Sequence, residues 1–264
     1  MREWLIMLVK RRGQAKVAIT DMVTLCMETF LDKMPNREEK FTLLKSLMEA
    51  CEGKMFLERE YSKCTRQLVE MFEADGKIED AAKTIQEIQI ETYGSLQNKE
   101  KVEFILYQMK LVLMRNDFVR LQILSKKISK KAISEAGLET HKINYYTFLV
   151  RYYVHEKEMM EVAKAYQTIF DTLNKASTDE KLKAHIDSTG EEKKKAFQNF
   201  VLYLLVSPYT DEKVELLNVV ESMYPRELEK EELLTKYVRK FLTFEICPFN
   251  EAEVEAQMKN YEPF

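Results

Sequence analysis

After each of several polar turns the chain reopens with an apolar residue and a second one three positions on: Phe41 with Leu44, Ile78 with Ala81, Phe118 with Leu121, and Met159 with Val162. From 41 to 78, 78 to 118 and 118 to 159 the steps are 37, 40 and 41 residues. An i, i+3 apolar pair after a break is the inward face of a new helix, and one such opening per repeat marks the second helix of a hairpin. Tetratricopeptide units repeat at about 34 residues and armadillo-class units at about 40 to 47. The spacing therefore predicts an all-α chain. It is expected to form a right-handed α-solenoid of stacked antiparallel helical hairpins, tetratricopeptide-like but looser than a strict array.

The stretch from Glu87 to Ile128 shows why hairpins must stack. Val102, Ile105, Leu106, Met109, Val112 and Leu113 fall on one face of a helix, the polar run Arg115, Asn116, Asp117 breaks it, and Phe118, Leu121, Leu124 and Ile128 form a second stripe. Two helices joined by so short a turn fold back on each other, yet one hairpin cannot bury both of its faces. The word DGKIEDAAKTI, Asp75 to Ile85, is the most tetratricopeptide-like unit: Gly76 suits the turn, and Ala81 with Ala82 lets two helices approach closely. A further opening, Val214 with Leu217, is displaced by the charged stretch Lys175 to Lys195, which is expected to be an inter-repeat loop with some helix. Residues 1–264 are accordingly expected to be one helical-repeat domain.

Toward the N-terminus, Trp4 to Val9 is apolar over six residues, short of a signal-peptide core of about 7 to 15. Lys10, Arg11, Arg12 and Gly13 close that helix, and Ala15 to Leu31 reads as a longer one with Val17, Met22, Leu25, Thr29 and Phe30 as candidate core positions. Trp4, Leu5 and Leu8 are expected at an unpaired edge. Phe197 to Val206, apolar nearly all round and stopped by Pro208, reads as a buried helix. Leu242, Phe244 and Ile246 alternate like a strand, whereas Tyr237, Phe241 and Phe244 keep helical spacing; helix is the expectation. Pro248 stops it, and Asn250 would cap a short acidic helix reaching Asn260.

Six glycines and five prolines in 264 residues leave few breakers, which suits a helical chain. The formal net charge of -3 comes from 41 basic and 44 acidic residues interleaved along the helices, a pattern of solvated surfaces rather than of a nucleic-acid footprint. Cys26, Cys51, Cys64 and Cys247 have no CxxC spacing, so reduced thiols are expected rather than a zinc site or a disulfide framework. His141, His155 and His185 lie far apart in no metal spacing, and the chain carries no GxSxG, GxxxxGK or GxGxxG. Neither a catalytic residue nor a cofactor or metal site is expected. Cys51, beside Glu52 and Gly53 at a helix end, would be activated only by a nearby cation.

Three surface features could bind a partner or could be structural. Lys126, Lys127, Lys130 and Lys131 gather at a helix C-terminus, where the macrodipole favours cations; the alternative is a docking surface for an acidic partner. Tyr145, Tyr146, Phe148, Tyr152 and Tyr153 have the composition of a base-stacking platform but few cations beside them, so helix packing is expected. Lys193 to Lys195 follow Glu191 and Glu192 and read as a solvated helix start.

The words ETYGS (Glu91 to Ser95), KEKVEFIL (Lys99 to Leu106), QMKL (Gln108 to Leu111), Asp117 and QILSKKI (Gln122 to Ile128) resemble the PCI family, and within it a subunit of the proteasome regulatory-particle lid. The resemblance runs from near Trp4 to the C-terminus, densest over Gly53 to Ile128 and thin after Pro208. It implies a helical-repeat arm without catalytic activity, a scaffold in ubiquitin-dependent degradation found in cytoplasm and nucleus. The partners it implies are other lid PCI subunits, the lid deubiquitinase, and the ATPase base or core particle. Nucleic acid and membrane are not among them, and the arm alone is expected to be monomeric. A PCI subunit of the signalosome or of a translation-initiation complex is the alternative. Family members continue into a winged-helix module and a C-terminal helix, whereas this sequence stops at Phe264; the resemblance implies a piece that starts inside the solenoid, with only the arm's contacts carried over.

Overall fold

Each polar turn between apolar stripes connects two helices that fold back on each other. The computed structural model describes residues 6–9, 11, 13–178 and 190–243, and all regular structure among them is helical. In order these are α1 (Lys16–Leu25), which passes through a π-helical turn (Cys26–Phe30) into α2 (Leu31–Lys33), then α3 (Arg37–Cys51), α4 (Glu58–Ala74), α5 (Ile78–Gln86), α6 (Asn98–Met114) and α7 (Phe118–Lys127). There follow α8 (Lys130–Ile133), α9 (Glu139–Glu156), α10 (Met159–Thr178), α11 (Gly190–Val206), α12 (Asp211–Met223), α13 (Pro225–Glu229) and α14 (Glu232–Leu242). Two 3₁₀ turns, Met55–Leu57 and Ile90–Thr92, lead into α4 and toward α6. The chain divides into two compact units, Met1–Ala132 and Ile133–Phe264. Within each, consecutive helices pack as antiparallel hairpins and hairpin packs on hairpin, the all-α stacked-repeat architecture that the sequence spacing predicts.

The openings read from the sequence fall where the second helices begin. Ile78, Phe118 and Met159 are the first residues of α5, α7 and α10, while Phe41 and Val214 lie in the first two turns of α3 and α12. The turns use the expected chemistry: Gly76 takes a positive φ of 72° between α4 and α5, and Asn116 takes 55° between α6 and α7. Asp117 then caps α7 by accepting from the Arg120 amide at 3.1 Å. Ala81 and Ala82 are fully buried, as a close helix approach requires.

The first unit differs from the sequence reading at two helices. In α1 the buried side chains are Ile19 and Val23, continued by Cys26 and Met27, whereas Val17 is 70% and Leu25 53% exposed. The buried positions Ile19, Val23, Cys26, Met27 and Leu31 keep helical spacing, so α1 carries apolar residues on more than one face and the neighbouring helices select this one. In α6 burial extends past the expected stripe to Phe104, Gln108 and Leu111. Sandwiched between neighbouring hairpins, this helix meets protein nearly all round. Its deeply buried amide is paired on one side: Gln108 Nε2 donates to the carbonyls of Ile85 (2.8 Å) and Ile88 (3.2 Å), closing the open C-terminal end of α5, while its Oε1 is buried without a hydrogen-bond partner.

In the second unit α10 lies between α9 and α11, and the core gathers Phe170, Phe197, Phe200 and Tyr224, whose rings meet edge-on or tilted at centroid distances of 5.2 to 6.4 Å. Tyr224 reaches through this cluster to donate its hydroxyl to Asp171 Oδ1 at 2.7 Å. Lys213, 2% exposed, donates Nζ to the carbonyls of Leu205 (2.6 Å), within the last turn of α11, and Ser207 (2.8 Å), just beyond it, and its ammonium sits 4.4 Å from the Phe241 ring centre. A cation there answers the open carbonyls and the negative helix end at once. Burial nevertheless pulls the Lys213 ammonium below its ordinary pKa. The expected buried helix is α11, with Phe197, Phe200, Val201, Leu202 and Leu204 inside. Helix extends into both ends of the charged stretch, to Thr178 and from Gly190; residues 179–189 lie outside the described part. Helix also holds from Tyr237 to Leu242, while Phe244, Ile246, Pro248, Asn250 and the acidic segment lie outside the described residues.

Two outcomes follow. Gln108→Ala strands the Ile85 carbonyl and opens space in a tight layer, and is expected to cost about 2 to 3 kcal/mol in urea unfolding; Arg59→Ala, at an exposed ion pair, should cost under about 1 kcal/mol. Burial, with the Asp171 hydrogen bond next, pushes the Tyr224 phenol up from 10.0 to about 12, and burial pushes Tyr145 to about 12 as well. A raised phenol pKa contributes stability that is complete below the unfolded value and lost as pH climbs through the folded one, so helicity followed by circular dichroism should fall between pH 10 and about 12. Tyr224→Phe should shift part of that loss upward.

Candidate docking surface

Polar side chains join each hairpin of the first unit to the next at offsets close to the repeat length. Arg37 pairs with Asp75 Oδ1 at 2.7 Å and donates to the Met71 carbonyl at 2.9 Å. Arg59 pairs with Glu100 at 2.7 Å, and Glu73 takes Lys110 at 3.0 Å together with the Tyr107 hydroxyl. Asn98 donates to the Ala132 carbonyl at 3.2 Å, and Arg120 to Gln86. Glu100 also reaches back to the Gln97 amide at 3.0 Å, capping α6. Burial alone would raise its pKa, but the Gln97 amide and the Arg59 guanidinium outweigh that and hold it below the ordinary carboxylate value. In the second unit Lys164 bridges Glu161 and Glu212, both at 2.6 Å, and Lys193 donates to Asn174 at 2.6 Å. These side chains set helix register, and none of them is arranged around a reacting atom.

The basic cluster is divided by its surroundings. Lys127 is half-buried and paired with Glu91 at 2.7 Å, tying the end of α7 to the 3₁₀ turn before α6. Lys126, Lys130 and Lys131 are exposed, the first in the last turn of α7 and the other two at the start of α8. Nothing in the sequence separates Lys127 from its neighbours, because its partner stands 36 residues earlier. The aromatic group of α9 is packing: Tyr145 and Tyr152 are buried, Tyr145 meets Tyr146 edge-on at 5.3 Å, and Tyr152 tilts against Tyr153 at 5.3 Å. Lys193 and Lys194 at the start of α11 are engaged by Asn174 and by Glu231 at 3.0 Å, while Lys195 is exposed.

Cys26, Cys51 and Cys64 are buried free thiols in the core of the first unit, and Cys64 Sγ lies 3.3 Å from Met27 Sδ. Burial, then Glu60, push Cys51 up to about 12 despite the pull of Lys54, and burial raises Cys64 and Cys26 too. Thiols so placed are poor nucleophiles and poor metal ligands. Cys247 and His185 lie outside the described residues. His155 is exposed, 3.0 Å from Glu156. Among the described residues no group of three His, Cys, Asp or Glu side chains is placed to hold a metal ion, and no helix is long and apolar enough to cross a membrane. A hollow of about 400 Å³ between α1 and α4 is walled by Glu28, Glu60, Lys63, Arg66 and Glu70, with opposite charges as neighbours. Another, of about 360 Å³, lies over Phe170 and Phe197 beneath Lys193, Lys194 and Glu227. Neither presents a histidine or a cysteine.

Comparison with known proteins gives this architecture its relatives. The family described as PSMD12/CSN4, N-terminal, matches residues 1–179. The chain is 30% identical over 225 residues to the 26S proteasome non-ATPase regulatory subunit 12 of Dictyostelium discoideum, covering 85% of this chain and 48% of that protein. It is 31% identical over all 264 residues to the 26S proteasome regulatory subunit RPN5 of Saccharomyces cerevisiae, 55% of that protein. With the 26S proteasome non-ATPase regulatory subunit 12 homolog A of Arabidopsis thaliana it shares 34% identity over 204 residues, covering 68% and 46%. The chain thus spans about half the length of the curated relatives it matches. With a family match over more than half its length and helical hairpins throughout the described residues, the chain belongs to the PSMD12/CSN4 N-terminal family.

Proposed function

We propose that the chain is the helical-repeat arm of a proteasome regulatory-particle lid subunit, a scaffold that holds other lid subunits in place for ubiquitin-dependent degradation. The observation that carries this reading is likeness over most of the chain to proteins named as 26S proteasome regulatory subunits. The physics of the fold supports it. Within a unit, hairpins stacked through a core and tied by ion pairs such as Arg59 to Glu100 make a semi-rigid body, and such a body works by fixing the distance and angle between the things bound to it. The action is positional, with no bond made or broken. The ionisable groups agree, since burial holds the thiols protonated and the carboxylates at the hairpin junctions are engaged by cations.

The partners this reading assigns are other lid PCI subunits, the lid deubiquitinase, and the ATPase base or core particle, in cytoplasm and nucleus. The alternative assembly is the signalosome, and the three relatives described above carry proteasome names instead.

Purified lid subunits presented one at a time to the immobilised chain test the proposal, with a version extended through a winged-helix module for comparison. Retention of a lid or core-particle subunit by the short chain is the expected result. Retention by the extended chain alone moves the assembly contacts off the arm, and retention of signalosome subunits in place of lid subunits overturns the assignment.

A further inference from the structure

The outer side of α7 is apolar where its counterpart is charged. Ile78 opens α5 as Phe118 opens α7, so Val119 and Ile123 occupy the register of Glu79 and Lys83. All four point outward: Glu79 and Lys83 are exposed, Val119 is 71% and Ile123 55% exposed. The inward stripe of α7 is complete without them, since Leu121 and Leu124 are buried and Ile128 follows them inside. Single exposed apolar residues are ordinary. Here two stand one helical turn apart, and Lys126 continues the same strip at i+7 from Val119.

The charge carried along the strip's own stretch of chain has one sign. From Phe118 to Ser134 the sequence contains Arg120, Lys126, Lys127, Lys130 and Lys131 and not one acid, inside a chain whose formal net charge is -3. Arg120 is used by Asp117 at 3.3 Å and Lys127 by Glu91 at 2.7 Å. The C-terminus of α7 offsets some of the charge, but its influence ends within a turn, and the exposed Lys131 lies beyond it. An apolar strip ending in exposed ammonium groups is the complement of an amphipathic helix with an apolar face edged by carboxylates.

We propose that the outward face of α7, Val119, Ile123 and Lys126, together with the exposed Lys131 at the start of α8, docks an acidic amphipathic helix of another protein. The proposal rests on the reading of the chain as a scaffold arm and supplies the chemistry of one of its partners. The apolar pair provides the desolvated anchor, and the lysines steer the approach and select against basic segments.

The test titrates the full chain with a fluorescent synthetic helix bearing leucines at i, i+4 and i+7 edged by glutamates, and with its Glu→Lys counterpart. The acidic peptide is expected to bind at least about tenfold more tightly than the basic one, and more weakly as salt rises toward about 0.3 M. V119E/I123E and, separately, K126E/K131E should each weaken it by at least about tenfold. All four side chains are exposed, so far-UV circular dichroism should report unchanged helicity; V119S/I123S serves as a milder variant. Equal binding of the two peptides, no binding, or indifference to V119E/I123E overturns the proposal. Binding to anionic vesicles that V119E/I123E abolishes, with no peptide binding, overturns it in favour of a lipid surface. These readouts do not involve lid subunits, so failure of the pull-down leaves them standing and their failure leaves the lid assignment untouched.

Discussion

A hairpin of two amphipathic helices has more apolar surface than the two helices can hide from each other, and everything else in this protein follows from that excess. Burying it requires a second hairpin against the first, which α4 and α5 supply to α3, and α6 and α7 supply in turn. At roughly 25 cal/mol for each Å² of apolar area removed from water, a helix enclosed on nearly every side, as α6 is, contributes far more than any ion pair on the surface. Helices inside the stack therefore read as apolar almost all round. The same need appears in the second unit, where α10 and α11 close over Phe170, Phe197 and Phe200.

Apolar contact alone would let stacked helices slide, because the attraction has no direction. Polar groups at repeat-length offsets remove that freedom. Arg37 with Asp75, Arg59 with Glu100, and Lys110 and Tyr107 with Glu73 each join a helix to one about a repeat away, and each is lost if the hairpins shift by a turn. Inside the layers the buried donors are aimed at helix ends: Gln108 at the carbonyls of Ile85 and Ile88, Lys213 at those of Leu205 and Ser207. Polar groups here serve geometry, and geometry is what a positioning subunit has to offer.

The candidate site shows how unevenly a surface can be read. The lysines of α7 and α8 are visible as a cluster in the sequence, but the selection of Lys127 for an internal pair with Glu91 is not, since the partner comes from a turn 36 residues earlier. Val119 and Ile123 are left over once Leu121, Leu124 and Ile128 are assigned inward, yet their exposure emerges only when the neighbouring helices are in place. In α1, Val17 and Leu25 face solvent although they are as apolar as the buried Ile19 and Val23, because which apolar face turns inward depends on where the neighbouring helices lie.

What the sequence determined alone is local and periodic: helix as the regular element of the described residues, the second-helix starts at Ile78, Phe118 and Met159, the Gly76 and Asn116 turns, and the family words between Glu91 and Ile128. These depend on backbone preferences and on apolar spacing within about twenty residues, which a single chain displays directly. What only the tertiary structure decided is which of several similar side chains meets which: Gln108 turned inward, Lys213 buried, Tyr224 bound to Asp171, Lys127 paired while Lys126 stays in water. Those outcomes depend on distances between residues far apart in the chain. They are fixed by the packing of whole helices and not by the identity of any one residue.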